Sequence, residues 1–414
     1  MKLLDELIEE LKPAKKEEQE MNDKVDTFIK KIKIRGAKAV LGGSGEKGTW
    51  LKGKFDADVF VLFDYKFKEE DISGMLGTHL KKAFKKVSRV HGSRDYFQIY
   101  DSGFLFEIIP ILEIKKAEQA QNITDVSPLH AKWVKKNVTQ KMADEVRLLK
   151  QFCMAQEVYG AESYIQGFSG YVCEILIIYH KSFINLLKKS AEWKSKTVID
   201  AERHWKGKNV LMELNKSKLQ SPLIVIDPVQ KDRNAAAALS FEKFGKFQKA
   251  ARKFLKGPSK KSFEKKEMTL NQLKERGKNR KLVVLDIEAK TGKEDIVGSR
   301  LLKCLKYIRK MLEENDFVVF DYGWSWDKKK KAVYWFILDK KELEKEKKQI
   351  GPPMQAIQFV MEFRKRHKKT FIEKNRVCAM VKRRFVRAEE LIKNLIEEKN
   401  VRRRIKRLNK IAVY

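Results

Sequence analysis

Gly42-Gly43-Ser44-Gly45-Glu46-Lys47-Gly48-Thr49-Trp50-Leu51, followed by Asp56-Ala57-Asp58-Val59-Phe60, places a small-residue turn shortly before two carboxylates in an apolar run. A Gly-Ser turn frees backbone N–H groups to cradle phosphate. In a strand, side chains two apart share a face, so Asp56 and Asp58 point the same way, with Cα atoms roughly 6.5–7 Å apart at ~3.3 Å per residue. Such a pair suits hard divalent cations about 3.5–4 Å apart, the arrangement of two-metal phosphoryl transfer. A phosphate cradle beside strand carboxylates is the apparatus of nucleotidyl transfer.

A metal site of this type needs a third carboxylate. Glu107, in Gly103-Phe104-Leu105-Phe106-Glu107-Ile108-Ile109-Pro110, is the acidic residue set inside an apolar strand at the right place. A charge there is expensive unless paired or metal-bound. Glu113, past Pro110, is second in line. Ser44 is placed to bond the β- or γ-phosphate beside Gly43, and Lys47 adds charge a short turn later. Ser127-Pro128-Leu129-His130 is a helix-start signal carrying a hydroxyl and an imidazole. Asp227-Pro228-Val229-Gln230-Lys231-Asp232-Arg233-Asn234 reads as a turn entering a helix of four alanines, with Asp227 and Asp232 available as caps.

Gly-Ser followed by Asp-x-Asp resembles the signature of the DNA polymerase β-like nucleotidyltransferase superfamily. The longer string GSGEKGTWLKGKFDADVFVLF is similar to the class I, archaeal-type CCA-adding enzymes. SPLHAKWV, EVRLLKQF, VYGAESYIQGFSGYVCEILIIYHKSF and VIDPVQKDRNAAAALS follow in the same order. This resemblance implies template-independent synthesis or repair of the 3′-terminal CCA of tRNA from CTP and ATP, with two Mg²⁺ ions and release of pyrophosphate. It implies a metal site of Asp56, Asp58 and Glu107, although the family usually has Asp at the third position. It implies triphosphate contacts from Gly43, Ser44, Lys47, Ser127, His130, Lys150 and Tyr159. Arg233, with Asn234 beside it, takes the role of reading the incoming base. The rivals are a poly(A) polymerase or oligoadenylate synthase, which share Gly-Ser and Asp-x-Asp, and a non-catalytic RNA-binding protein.

These residues need elements to hold them. The apolar spacing predicts helices over Leu3–Leu11 and Met21–Ile34, a strand over Lys38–Gly42, the carboxylate strand Asp56–Phe63, and a helix over Ser73–Val87. Paired strands Tyr96–Tyr100 and Gly103–Leu112 flank an Asp101-Ser102-Gly103 turn. Beyond Ser127 the pattern is helical: Glu145–Gln156, a buried central helix over Ser169–Leu187, and Ser240–Leu255. A polar stretch over 257–281 reads as a linker. It is followed by a β-α-β-β series over Leu282–Ile287, Val297–Leu312, Phe317–Tyr322 and Ala332–Leu338, resembling half of a ferredoxin-like or RNA-recognition-motif-like fold. No aromatic string for base stacking accompanies it. The expected fold is α+β, with a nucleotidyltransferase sheet and helices over 1–125, a helical nucleotide-binding domain over 126–256 and a basic tRNA-binding region over 257–414.

The chain has 414 residues, with 91 Lys and Arg against 56 Asp and Glu, a formal net charge of +35. That excess suits a polyanionic partner, and the alternative is a lysine-rich solvated surface. The clusters Arg364-Lys365-Arg366, Lys382-Arg383-Arg384 and Arg402-Arg403-Arg404 mark the C-terminal half as a place for phosphate contacts, and the resemblance implies that what it holds is the acceptor and TΨC arms of tRNA. The four cysteines stand singly, without zinc spacing, and read as buried apolar residues in a reducing compartment. The amphipathic N-terminus lacks a signal-peptide core, and the run GYVCEILIIYH is too short to span a bilayer. The expectation is a soluble, cytoplasmic protein without a membrane partner, and a homodimer stays open.

Overall fold

The computed structural model describes residues 2–55, 57–92, 94–265 and 268–414, which divide into two compact units, 1–266 and 267–414. Asp56, the first of the two strand carboxylates, lies outside the described residues.

The first unit begins with helices α1 (Lys2–Leu11) and α2 (Lys15–Lys30), strand β1 (Ala37–Leu41), a short helix α3 (Gly43–Lys47) and β2 (Ala57–Phe63). Then come α4 (Ile72–Ala83), β3 (Ser88–Val90), β4 (Tyr96–Asp101) and β5 (Phe104–Leu112). The five strands form one sheet in the order β1-β2-β5-β4-β3, so β2 and β5 are interior and run parallel to each other. Alternation divides β2 between two faces. Ala57, Val59, Val61 and Phe63 pack with Val25 and Phe28 of α2 and Leu76 and Leu80 of α4, while Phe60 and Leu62 meet Ile111 on the other face. Asp58 belongs to this second face. The β4–β5 hairpin closes through Ser102 at φ 52° and Gly103 at φ 84°, two consecutive left-handed residues that match strand twist.

A second core is helical. It is built from α5 (Ser127–Asn137), α6 (Gln140–Ala155), α7 (Gly170–His180), α8 (Phe183–Ala191) and α10 (Phe241–Lys256), with α9 (Val210–Glu213) and the two-stranded pair β6 (Thr197–Ile199) and β7 (Leu223–Val225) between the last two. Phe152, Phe183, Phe254 and Phe263 pack as edge-to-face or tilted rings with centroids 5.5–6.0 Å apart. Helix α1 packs Leu7 into this core rather than into the sheet's.

Three expectations for this unit and the stretch that follows it change. The single helix over Ser169–Leu187 is two helices, because Lys181 turns left-handed at φ 69° and the Ser182 side chain caps α8 through Asn185 N–H. The alanine run after Asn234 is a series of turns and not a helix, since the Asn234 side-chain carbonyl accepts from both Val225 N–H and Ala236 N–H. The stretch over 257–281 is not bare linker: a turn over Lys260–Phe263 buries Phe263 in the aromatic cluster, and helix α11 (Leu270–Arg276) follows, capped by Thr269.

The second unit contains β8 (Lys281–Glu288), α12 (Glu294–Glu314), β9 (Val319–Trp326) and β10 (Lys331–Leu338) after α11. Next are β11 (Glu346–Pro353), α13 (Ile357–Arg366), β12 (Thr370–Glu373) and β13 (Arg376–Lys382), then α14 (Ala388–Glu397), α15 (Lys399–Arg402) and β14 (Arg407–Val413). The main sheet runs β14-β8-β10-β9, all antiparallel. Leaving out the segment between β10 and α14 and the single-turn α15, the chain path is β-α-β-β-α-β. Helix α12 buries Val297, Leu301, Cys304, Leu305, Ile308 and Leu312, a helical stripe facing the sheet. The intervening segment forms its own sheet, β11-β13-β12, against which α13 packs Val360 and Phe363. Among the described residues, no helix is long and apolar enough to cross a membrane.

Candidate active site

Residues 58 and 107 are register partners on the parallel strands β2 and β5, and Glu107 is in turn opposite Gln98 on β4. Asp58, Glu107 and Gln98 therefore form a row across three interior strands. Gln98 Nε2 donates to Glu107 Oε1 at 2.7 Å, which leaves the second carboxylate oxygen on that side chain to other work. Both carboxylates are half-buried. Glu113 is exposed and paired with Lys38, Nζ to Oε1 2.5 Å, in a different environment.

The phosphate turn lies directly against this row. Gly43 has φ 58°, and a Cβ built on it would collide with the Asp58 carboxylate. Glycine is required here on both counts, left-handed backbone and close approach. Ser44 sits in the first turn of α3, partly exposed, and its carbonyl accepts from Thr49 N–H at 3.1 Å to fold the loop back. Asp58 and Glu107 offer carboxylate oxygens suited to a hard cation, and both are half-buried beside the Gly-Ser turn. No group of three His, Cys, Asp or Glu side chains stands together among the described residues, and the Asp56 assignment falls outside them.

Lys47 and Lys150 come together, but through a residue that sequence reasoning passed over. Lys47 Nζ donates to Glu174 Oε2 at 2.6 Å, while Thr49 Oγ1 donates to Glu174 Oε1 at 2.7 Å and Lys150 Nζ lies 3.4 Å from the same oxygen. Lys150 also donates to the Thr49 carbonyl and hydroxyl. Glu174 is completely buried, and Lys150 nearly so. Burial alone would raise the Glu174 carboxyl, yet Lys47, Lys150 and Thr49 outweigh it and hold it below the usual carboxylate range. Lys150 shifts downward as well, because burial and the like charge of Lys47 exceed its share of the one carboxylate. The two directions agree physically: the anion has two cations, and each cation has a fraction of an anion. Glu174 is the one acidic residue in GYVCEILIIYH, and a lone charge in an apolar run was the available signal.

Tyr159 joins this group at the start of α7. A Cβ on Gly170 would stand 3.0 Å from the Tyr159 hydroxyl and 3.7 Å from Lys150 Nζ. Ser127 opens α5 with Pro128 behind it, so the expected helix start holds and brings His130 to the first turn. The His130 ring stacks on Tyr171 with centroids 4.2 Å apart. His130 Nε2 is 3.0 Å from Asp227 Oδ2, at ion-pair distance but outside hydrogen-bond alignment.

Asp227 is the second buried anion of this group, after Glu174. It accepts from Tyr171 Oη at 3.2 Å, Val229 N–H at 2.9 Å and Gln230 N–H, and it pairs with Arg233 Nη1. Burial would raise its carboxyl, but His130, Arg233 and the Val229 N–H hold it down at about 2. Burial and the charge of Asp227 push the Tyr171 phenol upward, so it stays a donor. Arg233 keeps about a third of its side chain exposed. Asn234 does not accompany it outward: its amide nitrogen donates to Lys218, Ser221 and Leu223, and its carbonyl accepts two backbone N–H groups. That amide has no hydrogen-bonding capacity left for a base.

Tyr171 and Glu174 lie one turn apart on α7, and Lys47 Nζ stands 5.8 Å from the Tyr171 ring centre. Lys150, Glu174, Lys47, Tyr171, His130, Asp227 and Arg233 form a continuous chain of contacts. Helix α7 is its spine.

Of the C-terminal basic residues, Arg364, Lys365 and Arg366 are exposed in the last turn of α13, Lys382 is exposed at the end of β13, and Arg384 is exposed just after it. Arg383 is not available in the same way: it is mostly buried and paired with Asp316.

Three family models match: a nucleotidyltransferase domain over residues 21–132, the second domain of tRNA nucleotidyltransferases over 144–264, and the C-terminal domain of CCA-adding enzymes over 278–413. The chain is similar to the CCA-adding enzyme of Nanoarchaeum equitans, 36% identical over 347 residues, covering 83% of this chain and 84% of that one. It is similar to that of Methanocaldococcus jannaschii, 31% identical over 407 residues, covering 95% and 90%. Among solved structures, the fold is like that of a cytoplasmic RNA terminal U-transferase (16% identity, TM-score 0.50) and of Cid1, described by its RNA terminal uridylyl transferase activity (15% identity, TM-score 0.51). These cover 64% and 65% of this chain and 98% of each of those.

Proposed function

The chain belongs to the CCA-adding enzyme family, and from that premise we propose how its residues divide the work. The protein is a tRNA nucleotidyltransferase that adds C and A from CTP and ATP to the 3′ end of tRNA without a template, releasing pyrophosphate.

Asp58 and Glu107, with Asp56, hold two divalent ions, taken here as Mg²⁺, which supply charge for activating the 3′-hydroxyl and stabilising the leaving pyrophosphate. The row of Asp58 and Glu107 in register, with Gly43 packed against it, is the observation that carries this reading. Glu107 is held by Gln98, so its longer side chain is fixed rather than free to swing. Gly43 and Ser44 bind phosphate from below, and Lys47, Lys150, Tyr159, Ser127 and His130 meet the triphosphate. Arg233, held in place by Asp227 and partly exposed, reads the base: a guanidinium offers donors to the acceptors that C and A share at their pairing edges. The catalytic region over 1–125 and the helical region over 126–256 then act on one nucleotide. The second unit, whose β-α-β-β-α-β path supports the ferredoxin-like reading, holds the acceptor and TΨC arms by backbone and shape. Its place of work is the cytoplasm.

Incubating the protein with tRNA lacking CCA, with CTP and ATP supplied separately and together, tests the activity. Addition of two C residues with CTP alone and of a terminal A only when both are present is the expected result. A polymerase of the poly(A) class would extend with ATP alone. For base reading, Arg233→Ala raises U and G misincorporation by about five- to a hundredfold, the range of one base-reading pair at 1–3 kcal/mol. Equal slowing of all four nucleotides would make Arg233 a phosphate or structural residue.

A further inference from the structure

Helix α7 is apolar nearly throughout, so Glu174 on it demands an explanation. A buried carboxylate with one cation partner is an ordinary structural ion pair, and nothing more follows from it. Glu174 has two, Lys47 at 2.6 Å and Lys150 at 3.4 Å, delivered by the phosphate turn and by α6. Their side chains are 12% and 4% exposed, so the cluster carries one surplus positive charge in a site shielded from water. The neighbouring carboxylate on α3, Glu46, is partly exposed and is shared between Lys135, at 4.0 Å, and the charge of Lys47, so it offsets the cluster's surplus only in part. A surplus buried cation is costly unless an anion arrives to meet it.

We propose that Glu174 is a positioning residue for the nucleotide triphosphate: it binds Lys47 and Lys150 into one preorganised pair and leaves a single net positive charge for the phosphates. The proposal rests on the reading of these two lysines as triphosphate contacts. Its physical content is that neither ammonium has to be ordered when nucleotide binds, since Glu174 and Thr49 have already fixed both. Preorganisation of this kind lowers the entropic cost of binding and acts on both nucleotides alike. It also links the phosphate end to the base end, because Tyr171, one turn away on α7, carries the stack and hydrogen bond to His130 and Asp227.

The test uses the full-length protein, equilibrium binding of CTP and of ATP with Mg²⁺, and KM and kcat on tRNA lacking CCA. Glu174→Gln keeps the volume and removes the charge. It raises Kd and KM for both nucleotides equally, by about ten- to a hundredfold for the removal of one charge-assisted hydrogen bond, with a smaller change in kcat. Glu174→Asp recovers most of the affinity. Lys150 is faced by Lys47 from α3, by Thr49 after it, by Glu174 and Cys173 from α7, and by Tyr159. Without Glu174 it loses its proton at lower pH, so nucleotide affinity in Glu174→Gln falls off on the alkaline side earlier than in the wild type. A helix-packing role alone would not move that limb.

A mutant cycle decides the mechanism. In a Lys47→Met/Lys150→Met background, Glu174→Gln changes Kd by less than twofold if it acts through the lysines. Persistence of its full effect there, or a Kd within twofold of wild type in Glu174→Gln itself, overturns the proposal. Unchanged nucleotide affinity in Lys47→Met/Lys150→Met is a different failure, that of the triphosphate reading. If Glu174→Gln does not fold, the same cycle is read with Glu174→Asp.

Discussion

Glu107 stands where the family resemblance leads one to expect Asp, and its surroundings show how the longer side chain is placed. The longer side chain is tethered to Gln98 and lies in register with Asp58, so the carboxylate is carried to the site and held there. Glu107→Ala is expected to cut single-turnover addition of both C and A by about a thousandfold or more, because charge stabilisation at the reacting phosphate is lost. Glu107→Asp keeps substantial activity, and tRNA affinity by filter binding is unchanged in both. The second residue-scale expectation concerns Asp227. Its folded carboxyl sits at about 2 against 3.8 for the free group, so its stabilisation is present in full above pH ~4 and is lost as pH falls through 2. The shift corresponds to about 2 kcal/mol. In a pH series of thermal melts, the gap between wild type and Asp227→Asn is widest above pH 4 and closes toward pH 2. A gap constant with pH would mean that the loss is packing and not charge.

At the scale of elements, the break between α7 and α8 orients the spine of the site. Lys181 holds a left-handed conformation that costs a side-chain-bearing residue about 1 kcal/mol, and Ser182 then caps the next helix. Lys181→Gly is expected to raise the melting temperature slightly and Ser182→Ala to lower it, each by the equivalent of about 1 kcal/mol. Loss of stability in Lys181→Gly would show that the lysine side chain contributes more than its strained backbone costs. This break also shows where sequence reading stopped. A glycine at 181 would have announced the turn; a lysine in the left-handed region leaves no signature. The same limit hid the turns after Asn234, which are set by side-chain bonds to Val225 and Ala236 rather than by propensity. Strands with alternation, the Ser102-Gly103 hairpin and the Gly-Ser turn were legible because their chemistry is local. The row of Asp58 with Glu107 was half legible: strand period and apolar context marked each residue, and only sheet order could make them neighbours. Strand β14 was missed, since what makes it a strand is β8, over a hundred residues earlier. Glu174 could have been found by the argument applied to Glu107, a lone acid in an apolar run.

At the scale of the molecule, a charge of +35 must either meet a polyanion or remain a solvated surface, and the structure separates residues that can do each. Arg364, Lys365 and Arg366 crowd the C-terminal turn of α13, all exposed, where their charges also complement the helix dipole. Among the described residues, Arg366 has one loose partner, Glu362 at 3.4 Å. Arg383, in the neighbouring cluster, is occupied by Asp316 and largely out of solvent. If tRNA is held through its phosphates, removing exposed cations lowers the salt dependence of binding, because fewer counterions are released. Arg364→Ala/Lys365→Ala/Arg366→Ala is expected to weaken tRNA binding and reduce the slope of log K against log salt by about 0.7–0.9 for each phosphate no longer neutralised. Arg383→Ala, by contrast, leaves the slope unchanged and lowers the melting temperature, since it leaves Asp316 with Lys347 as the weaker of its two cationic partners. CTP affinity in the absence of tRNA stays constant in both proteins. The measurement is tRNA binding across a salt series, with nucleotide binding as the control. An unaltered slope in the triple variant would assign this charge to solubility and move the tRNA-binding surface elsewhere on the molecule. A reduced slope in Arg383→Ala would show that its bond to Asp316 opens when tRNA arrives.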